Sequence, residues 1–133
     1  MPHATVFFYR TLERAQALVQ SHAALAALQK TELSAHSPQA LEHDFDLIIN
    51  ATASSLAGGA VPVPASVLRA GSLAYDMMYG PAAQGFLDWA RAHGATPRDG
   101  LGMLVEQAAE AFALWRGVRP PSAQVLKELQ ATV

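Results

Sequence analysis

The sequence predicts a parallel α/β fold, in which a sheet of parallel strands carries helices on both faces. Apolar runs such as "ATVFFY" and "DLIIN" alternate along the chain with stretches of helical composition. That alternation is typical of parallel strands joined by right-handed helical crossovers. The 133 residues, 51% hydrophobic and 15% charged, suffice for one domain with its own core and argue against a disordered chain. We therefore expect a single domain over residues 1–133, without an internal repeat or linker.

The predicted elements follow one another in a regular order. A strand over "ATVFFY" precedes a helix over residues 12–29 with Thr11 as its N-cap. A short strand, "KTELSA", and a continuous apolar strand, "DFDLIINAT", come next, and the second has the pattern of a strand buried in a parallel sheet. One helical turn is expected near residues 38–42 and another, after a Gly/Pro loop, at 65–68. The strand "GSLAYDMMYG" then leads to a helix over 81–93 that ends at Gly94.

Two helices complete the chain, and the first of them, "DGLGMLVEQAAEAFALWRG", has an unusual boundary stripe. At about 100° per residue, one face is expected to pack, and it comprises Leu101, Leu104, Val105, Ala108, Ala111, Phe112 and Trp115. Gly100, Met103 and Gln107 lie together at the edge of that face. A glycine at a helix start suits contact with a ligand, whereas the alternative is a solvated Gln beside a core Met. Asp99 is expected to cap this helix, and a last helix runs from Ser122 to about Gln130.

Composition argues against several classes of function. The net charge of −2 without a basic run argues against nucleic acid as a partner. Without cysteine there are no disulfides or thiolate metal sites, and the five scattered histidines lack metal-ligand spacing. No apolar run reaches membrane length and the first residues lack a signal-peptide pattern, so we expect a cytoplasmic protein.

Polar or adaptable residues follow the predicted strands, where ligands of parallel sheets bind. They are Tyr9 to Thr11, Asn50 to Thr52 and Asp76 to Tyr79. Arg10 and Arg14 are four residues apart at a helix start and could clamp one phosphate, such as the 2′-phosphate of NADP in a Rossmann sheet. The alternative is a pair of solvated surface arginines.

At these positions the sequence resembles the C-terminal, NADP-binding region of shikimate dehydrogenase. The resemblance covers nearly the whole chain and rests on four segments in the family's order: "YRTLERA", "DLIINAT", "LAYDMMYGP" and "DGLGMLVEQAAEAFALWRGV". It implies a Rossmann-like domain whose C-terminal helices span about residues 100–131. It further implies an oxidoreductase of aromatic amino acid (chorismate) biosynthesis, which interconverts 3-dehydroshikimate and shikimate with NADP.

The resemblance also implies site residues. The expected cofactor contacts are Arg10, Thr11, Arg14, Thr52, Ser54, Met77, Gly100 and Met103, and the expected substrate contacts are Tyr79 and Gln107. Tyr9 departs from the Asn of the family's Asn-Arg-Thr-x-x-Arg motif, and Ala53 from a common Ser. The family's first Rossmann strand, its glycine-rich loop and the N-terminal domain with the catalytic Lys–Asp pair have no counterpart here, so the resemblance implies no catalytic residue in this chain.

Three functional hypotheses remain open from the sequence. The chain is a part of a shikimate dehydrogenase that is inactive alone, a half-enzyme completed by a separate N-terminal domain, or a non-enzymatic nucleotide-binding or interaction module. Shikimate or 3-dehydroshikimate would bind only if the N-terminal domain were supplied, and a quinate-active relative stays open. Because the family's central strand has no counterpart, the strands on its two sides would have unpaired edges. We therefore expect a homo-oligomer that forms through exposed strand edges.

Overall fold

The computed structural model of the chain describes residues 4–8, 11–41, 44–53 and 60–132. It divides into two compact units, which are described separately below. The first unit comprises Met1–His43 with Pro62–Val67, and the second comprises Asp44–Val61 with Leu68–Val133. The single domain expected from the sequence remains a prediction.

In the first unit, two parallel strands pair and one helix packs on both. Strand β1 (Ala4–Phe8) pairs with β2 (Glu32–His36), with Ala4 opposite Glu32 and Phe8 opposite His36. Helix α1 (Leu12–Gln29), with the bounds expected from the sequence, connects the strands and contacts them both. A short 3₁₀ turn follows at Pro38–Ala40.

The ends of α1 differ from those of a strongly capped helix. Thr11 occupies the N-cap position as expected, but its side chain makes no capping hydrogen bond. At the other end, Lys30 adopts a left-handed conformation with φ of 53°, and the Thr31 N–H donates to the Ala26 carbonyl at 3.0 Å. Glycine is the usual residue in this conformation, so the structure places a lysine where a glycine would be less strained.

The second unit contains a three-stranded parallel sheet in the order β3-β4-β5. Its strands are β3 (Leu47–Asn50), β4 (Leu73–Asp76) and β5 (Thr96–Arg98). Helix α2 (Gln84–Ala92) packs on β4 and β5, and α3 (Leu101–Arg116) packs on α4 (Ser122–Gln130). The second unit has a short 3₁₀ turn at Gly80–Ala82. A similar turn at Ala65–Val67 belongs to the first unit. Parallel pairing in both sheets confirms the predicted α/β class.

Strand β5 was not expected from the sequence. It is three residues long and has Pro97 at its centre, a residue that usually argues against a strand. The Thr96 N–H donates to the carbonyl of Ser72, the residue before β4. Successive residues of a strand point their backbone groups to opposite sides. The nitrogen of Pro97 therefore faces the outer edge of the sheet, away from β4, so the missing N–H removes no hydrogen bond of the ladder.

The prediction that β3 is buried on both faces is wrong for the chain as described. Ile48 and Asn50 are buried, whereas Leu47 is 49% and Ile49 is 53% exposed. The strand therefore alternates between a covered face and an open face, although every residue from Leu47 to Ile49 is apolar.

The predicted packing face of α3 holds for its first turns only. The buried residues are Leu101, Val105 and Ala109, spaced four residues apart. Ala108, Phe112 and Trp115 were all expected to pack but are exposed, Phe112 to 43% and Trp115 to 81%, whereas the buried Ala109 was not expected on that face. The physical reason is that the helix buries no side chain after Ala109, so its last two turns project apolar residues toward solvent.

Candidate functional site

Two neighbouring parallel strands, β3 and β4, end side by side on polar residues. Asn50 and Asp76 are the last residues of these strands, lie opposite each other in the ladder and are both buried. The segments that leave the strands carry Thr52 and Met77. Because ligands of parallel sheets bind outside the carboxyl ends of the strands, this edge of the second unit is the candidate site.

A hydrogen-bond network joins the two strand ends. The Asn50 amide Nδ2 donates to Asp76 Oδ2 at 3.2 Å, and Asn50 Oδ1 accepts from the N–H and the hydroxyl of Thr52 at 3.1 and 2.8 Å. The other carboxylate oxygen, Asp76 Oδ1, accepts from the Met78 N–H at 2.9 Å. Both buried polar side chains therefore have partners, as burial requires. The role of the Asp76 side chain in this network is therefore a structural one.

Gly100 lies directly beside the segment that follows β4. Its N–H donates to the Met78 carbonyl at 2.8 Å. A Cβ atom at this position would lie 2.7 Å from the Met77 carbonyl carbon and 3.2 Å from the Met77 Cα, too close for either. Since its φ of −82° suits any residue, glycine is required here for space. The backbone that approaches Gly100 is thus the chain's own, and its contact with a cofactor remains a prediction.

The start of α3 is held by the residues around it. The N-cap residue is Gly100 and not Asp99, so the expected capping by Asp99 is found in a modified form: from one position before the N-cap, Asp99 Oδ1 accepts from the Leu101 N–H at 3.2 Å. Two of the N–H groups at this end, those of Gly100 and Leu101, therefore have partners within the chain. The second glycine, Gly102, has no comparable constraint, because a Cβ there would meet only the Leu126 side chain of α4, at 4.0 Å.

Four of the predicted contact residues present their side chains to solvent. Met77 and Tyr79 are partly exposed on the segment that follows β4, and Met103 and Gln107 are exposed on α3. Gln107 Nε2 donates to the Leu104 carbonyl of its own helix at 3.2 Å. Met77 and Gly100 are in contact, and Met103 and Gln107 follow Gly100 on α3. Their contacts with cofactor and substrate stay predictions.

The predicted phosphate-binding residues belong to the first unit. Thr11 and Arg14 are exposed at the start of α1, just after β1, and the Arg14 N–H donates to the Thr11 carbonyl at 3.1 Å. Arg10, and also Ser54 in the loop after β3, lie outside the described residues. The proposed clamp of Arg10 and Arg14 on one phosphate therefore stays a prediction.

The electrostatic feature of the C-terminal helices is an exposed arginine between two carboxylates. Arg119 donates to Glu110 and, at 3.1 Å, to Glu106 of α3. The hydrogen bond and the charge of Glu110, followed by those of Glu106, raise the pKa of Arg119. These contacts tie the connection between α3 and α4 to the solvated face of α3. Elsewhere in the described residues, no group of three or more His, Asp or Glu is placed to hold a metal ion, and no described helix is long and apolar enough to cross a membrane.

The sequence places Asn50 among the polar residues at a strand end but predicts no partner for it, although it stands at the centre of the network. The available signal was positional, because two successive apolar strands each end on a polar residue, "LIIN" and "LAYD". In a parallel sheet such ends meet at the same edge. The pairing of Asn50 with Asp76 also needs a shared register, which the sequence alone does not give.

Comparisons with known proteins agree with the expectation drawn from the sequence. A family model described as the Shikimate 5'-dehydrogenase C-terminal domain matches residues 100–130. The curated shikimate dehydrogenase (NADP(+)) of Acidovorax ebreus (strain TPSY) is 77% identical over 132 residues, which cover 99% of this chain and 47% of that protein. The chain thus spans about half the length of the curated relatives it matches.

Solved structures extend the likeness to the fold. An Ael1 enzyme from Pseudomonas putida matches with 42% identity and a TM-score of 0.80, over 96% of this chain and 46% of that chain. Shikimate 5-dehydrogenase from Thermus thermophilus, solved in complex with NADP(H) and shikimate, matches with 27% identity and a TM-score of 0.74. That match covers 96% of this chain and 46% of the Thermus chain. The expected Rossmann-like fold and family resemblance are confirmed: this chain is similar to shikimate dehydrogenases over about half of their length, and its residues 100–130 match their C-terminal domain.

Proposed function

We propose that the chain forms the cofactor-binding part of an NADP-dependent shikimate dehydrogenase. The observation that carries this proposal is the 77% identity over 132 residues to an enzyme named shikimate dehydrogenase (NADP(+)). The structure supports it because the exposed side chain of Met77 directly follows the carboxyl end of β4, where ligands of parallel sheets bind, and Met103 is exposed on the helix that begins beside Met77. Such side chains suit the planar face of a nicotinamide.

In this proposal each group of residues contacts one part of the reactants. The 2′-phosphate and adenosine end of NADP is bound by Arg10, Thr11, Arg14, Thr52 and Ser54. The nicotinamide end is bound by Met77, Gly100 and Met103, and shikimate or 3-dehydroshikimate by Tyr79 and Gln107. When bound, the cofactor accepts or supplies the hydride. The chain's own residues orient the two reactants.

The isolated chain is proposed to be catalytically inactive. The reaction transfers a proton as well as a hydride, and a positioned acid or base typically contributes about 10²–10⁴-fold to such a rate. Asp76 does not supply this group, because its side chain is fully buried and its two oxygens accept from Asn50 and Met78. Turnover therefore requires the N-terminal domain of an enzyme of this family, which supplies the acid–base pair and further substrate contacts.

The test exchanges corresponding halves between two homologous proteins. In a chimera, this chain replaces the matched 132 residues of the Acidovorax ebreus enzyme, with which it shares 77% identity. We expect NADPH formation from shikimate at a rate within about tenfold of the parent, because the exchanged residues are 77% identical. A chimera that folds and binds NADP but has no turnover would contradict the proposal.

A matched variant of the chimera separates substrate from cofactor contacts. Gln107 is exposed and bonds only weakly to its own helix, so Gln107→Ala changes little in the fold. We expect the KM for shikimate to rise about tenfold, the loss of one hydrogen bond to substrate, with the KM for NADP unchanged. An equal rise in both KM values would contradict the assignment of Gln107 to the substrate.

The chain is also proposed to self-associate through the outer edge of β3. The Leu73 and Met77 N–H groups of the neighbouring strand donate to the carbonyls of Asp46 and Asn50. Because this direction alternates, the N–H and carbonyl groups of Leu47 and Ile49 face away from β4. In the part of the chain that the structure describes, β3 is an edge of its sheet.

The opposite edge of that sheet is protected in a way that β3 is not. At β5, the outward nitrogen of Pro97 carries no hydrogen, and the Arg98 guanidinium donates to the Pro97 carbonyl at 3.1 Å. Proline and charge are common protections of sheet edges. The two half-exposed apolar side chains of β3 have neither protection, so a second copy is expected to pair there.

Proline substitution tests this edge. Ile49→Pro removes an N–H that faces the outer edge and leaves the hydrogen bonds between β3 and β4 intact. Ile48→Pro is the control, because it removes an N–H that faces β4. We expect sedimentation velocity to show concentration-dependent association of the wild type that Ile49→Pro abolishes without loss of circular dichroism. A wild-type chain that stays monomeric over the whole concentration series would contradict self-association.

For the compartment we propose the cytoplasm, which suits a chain without cysteine.

A further inference from the structure

We propose that Asn50 and Asp76 are a positioning pair, which fixes the segment Met77–Tyr79 and the start of α3 relative to the end of β3. The inference rests on the proposed function, because the residues it positions are the proposed nicotinamide and substrate contacts. Neither Asn50 nor Asp76 is itself a proposed contact. Their role would be to set the spacing between the elements that carry those contacts.

The orientation of the Asn50 amide is determined by its neighbours. The Thr52 N–H can only donate, so the Asn50 atom that it contacts must be the oxygen, Oδ1. The other end of the amide is then the NH₂ group, which needs an acceptor. Asp76 Oδ2 provides this acceptor at 3.2 Å. The donor–acceptor direction is therefore fixed: Thr52 donates to Asn50, and Asn50 donates to Asp76.

From Asp76, a chain of hydrogen bonds continues to α3. Asp76 Oδ1 accepts from the Met78 N–H at 2.9 Å, and the Met78 carbonyl accepts from the Gly100 N–H at 2.8 Å. The Met77 N–H donates to the Asn50 carbonyl at 3.0 Å, which fixes the same segment from the side of β3. The backbone on both sides of Met77 is thus bonded directly to the pair, and Gly100 is one further bond away.

The burial of the pair indicates a specific structural role, because a polar side chain away from water does not serve solubility. Asp76 is 0% and Asn50 is 7% exposed. Two apolar side chains could fill the same volume at lower cost, because burying polar groups is unfavourable unless they are bonded. An apolar residue at position 76 could not accept from the Met78 N–H, however, and would leave that turn without its anchor.

The test exchanges the two side chains. In Asp76→Asn, two amides face each other, and no orientation of the new amide satisfies both Asn50 Nδ2 and the Met78 N–H. In the double variant Asn50→Asp with Asp76→Asn, the new carboxylate accepts from Thr52 and from the new amide, whose oxygen accepts from Met78. The exchanged pair thus retains the hydrogen bond between the two side chains and those to the Thr52 and Met78 N–H groups. A positioning role predicts that the double variant rescues what the single variant loses.

The control is a buried polar residue that directly precedes β4, at the opposite end of the strand from Asp76. The Ser72 hydroxyl donates to the Phe45 carbonyl at 2.6 Å and accepts from the Arg69 N–H at 3.1 Å, and Ser72 is buried. Ser72→Ala should therefore destabilise the second unit to a similar extent at the amino ends of the strands. A residue with a purely structural role would behave in the same way as this control.

Local probes read out the position of the segment without any ligand. We expect Asp76→Asn to speed amide hydrogen exchange at Met78 and Gly100 about tenfold, as for loss of a hydrogen bond to a charged group. It should also shift the methyl NMR signals of Met77 and Met78, two of the four methionines of the chain. The double variant should return both readouts to wild type, and Ser72→Ala should leave them unchanged.

The functional readout uses the same variants in the chimera with the Acidovorax ebreus enzyme. Asp76→Asn should lower kcat/KM for NADP about tenfold, the double variant should restore it, and Ser72→Ala should not lower it. The proposal is overturned if Asp76→Asn leaves exchange at Met78 and Gly100 at the wild-type rate, or if the double variant behaves like the single one. A wild-type chimera without activity would instead overturn the proposed function, and the exchange data would still decide whether the pair positions the segment.

Discussion

Replacement of Gly100 by alanine is expected to destabilise the second unit, because the new methyl group has no space. The ideal Cβ would lie 2.7 Å from the Met77 carbonyl carbon, and the neighbouring atoms belong to the backbone, which cannot rotate away. The Met77 segment is also held by the hydrogen bonds that Met77, Met78 and Gly100 make with their neighbours. Overpacking of this kind typically costs about 1–3 kcal/mol.

Gly102→Ala is the matched control, two residues further along the same helix. A Cβ there would lie 4.0 Å from the Leu126 side chain, an ordinary van der Waals distance. Alanine in place of glycine inside a helix gains up to about 1 kcal/mol. The two variants should therefore differ by about 1–4 kcal/mol, with Gly100→Ala less stable than wild type and Gly102→Ala at least as stable.

Chemical unfolding followed by circular dichroism measures this difference. At a few degrees per kcal/mol, the midpoints of thermal unfolding of the two variants should also differ by about 10 °C. A Gly100→Ala protein within about 0.5 kcal/mol of wild type, the usual range of a surface substitution, would refute the reasoning. It would mean that Met77 does not approach Gly100 as closely as the structure describes.

Four further outcomes are expected. Lys30→Gly should raise the free energy of unfolding by about 0.5–1 kcal/mol, since glycine adopts the left-handed conformation without strain; a loss of stability would contradict that conformation. Arg14→Ala should weaken binding of NADP but not of NAD in calorimetry, and equal losses would argue against the 2′-phosphate contact. The purified chain should show no NADPH formation with shikimate, whereas turnover at an ordinary enzymatic rate would disprove its dependence on another half. Trp115→Gln should leave the unfolding midpoint unchanged, because the side chain is 81% exposed; a clear destabilisation would show that the indole is packed.

The regular elements were largely predictable, because local patterns determine them. The bounds expected for α1 match those observed, and the end of a helix at Gly94 agrees with its φ of 78°. Strand β5 escaped prediction because Pro97 is a local signal against a strand, whereas only its place at the outer edge of the sheet makes proline acceptable there. Local sequence does not contain that information.

The candidate site was predictable in its residue types but not in its connections. The positions of Met77, Gly100 and Met103 followed from family motifs, yet the reason for Gly100 lies in its contact with Met77, 23 positions earlier in the chain. Burial also depended on long-range packing. Periodicity correctly predicted that Val105 is buried but incorrectly predicted that Trp115 is, since a helix can extend past the surface that covers its first turns.

The methionines at the carboxyl edge of the sheet have a chemical consequence. Met77 and Met103 are exposed and, in a chain without cysteine, thioethers are its only sulfur groups. A peroxide would convert such accessible thioethers to sulfoxides, which replace a flexible apolar surface with a polar and chiral one. Mild oxidation should therefore modify this edge before it harms the buried core, and methionine sulfoxide reductases would restore it. Peptide mass mapping after graded peroxide treatment would show the order in which the methionines react.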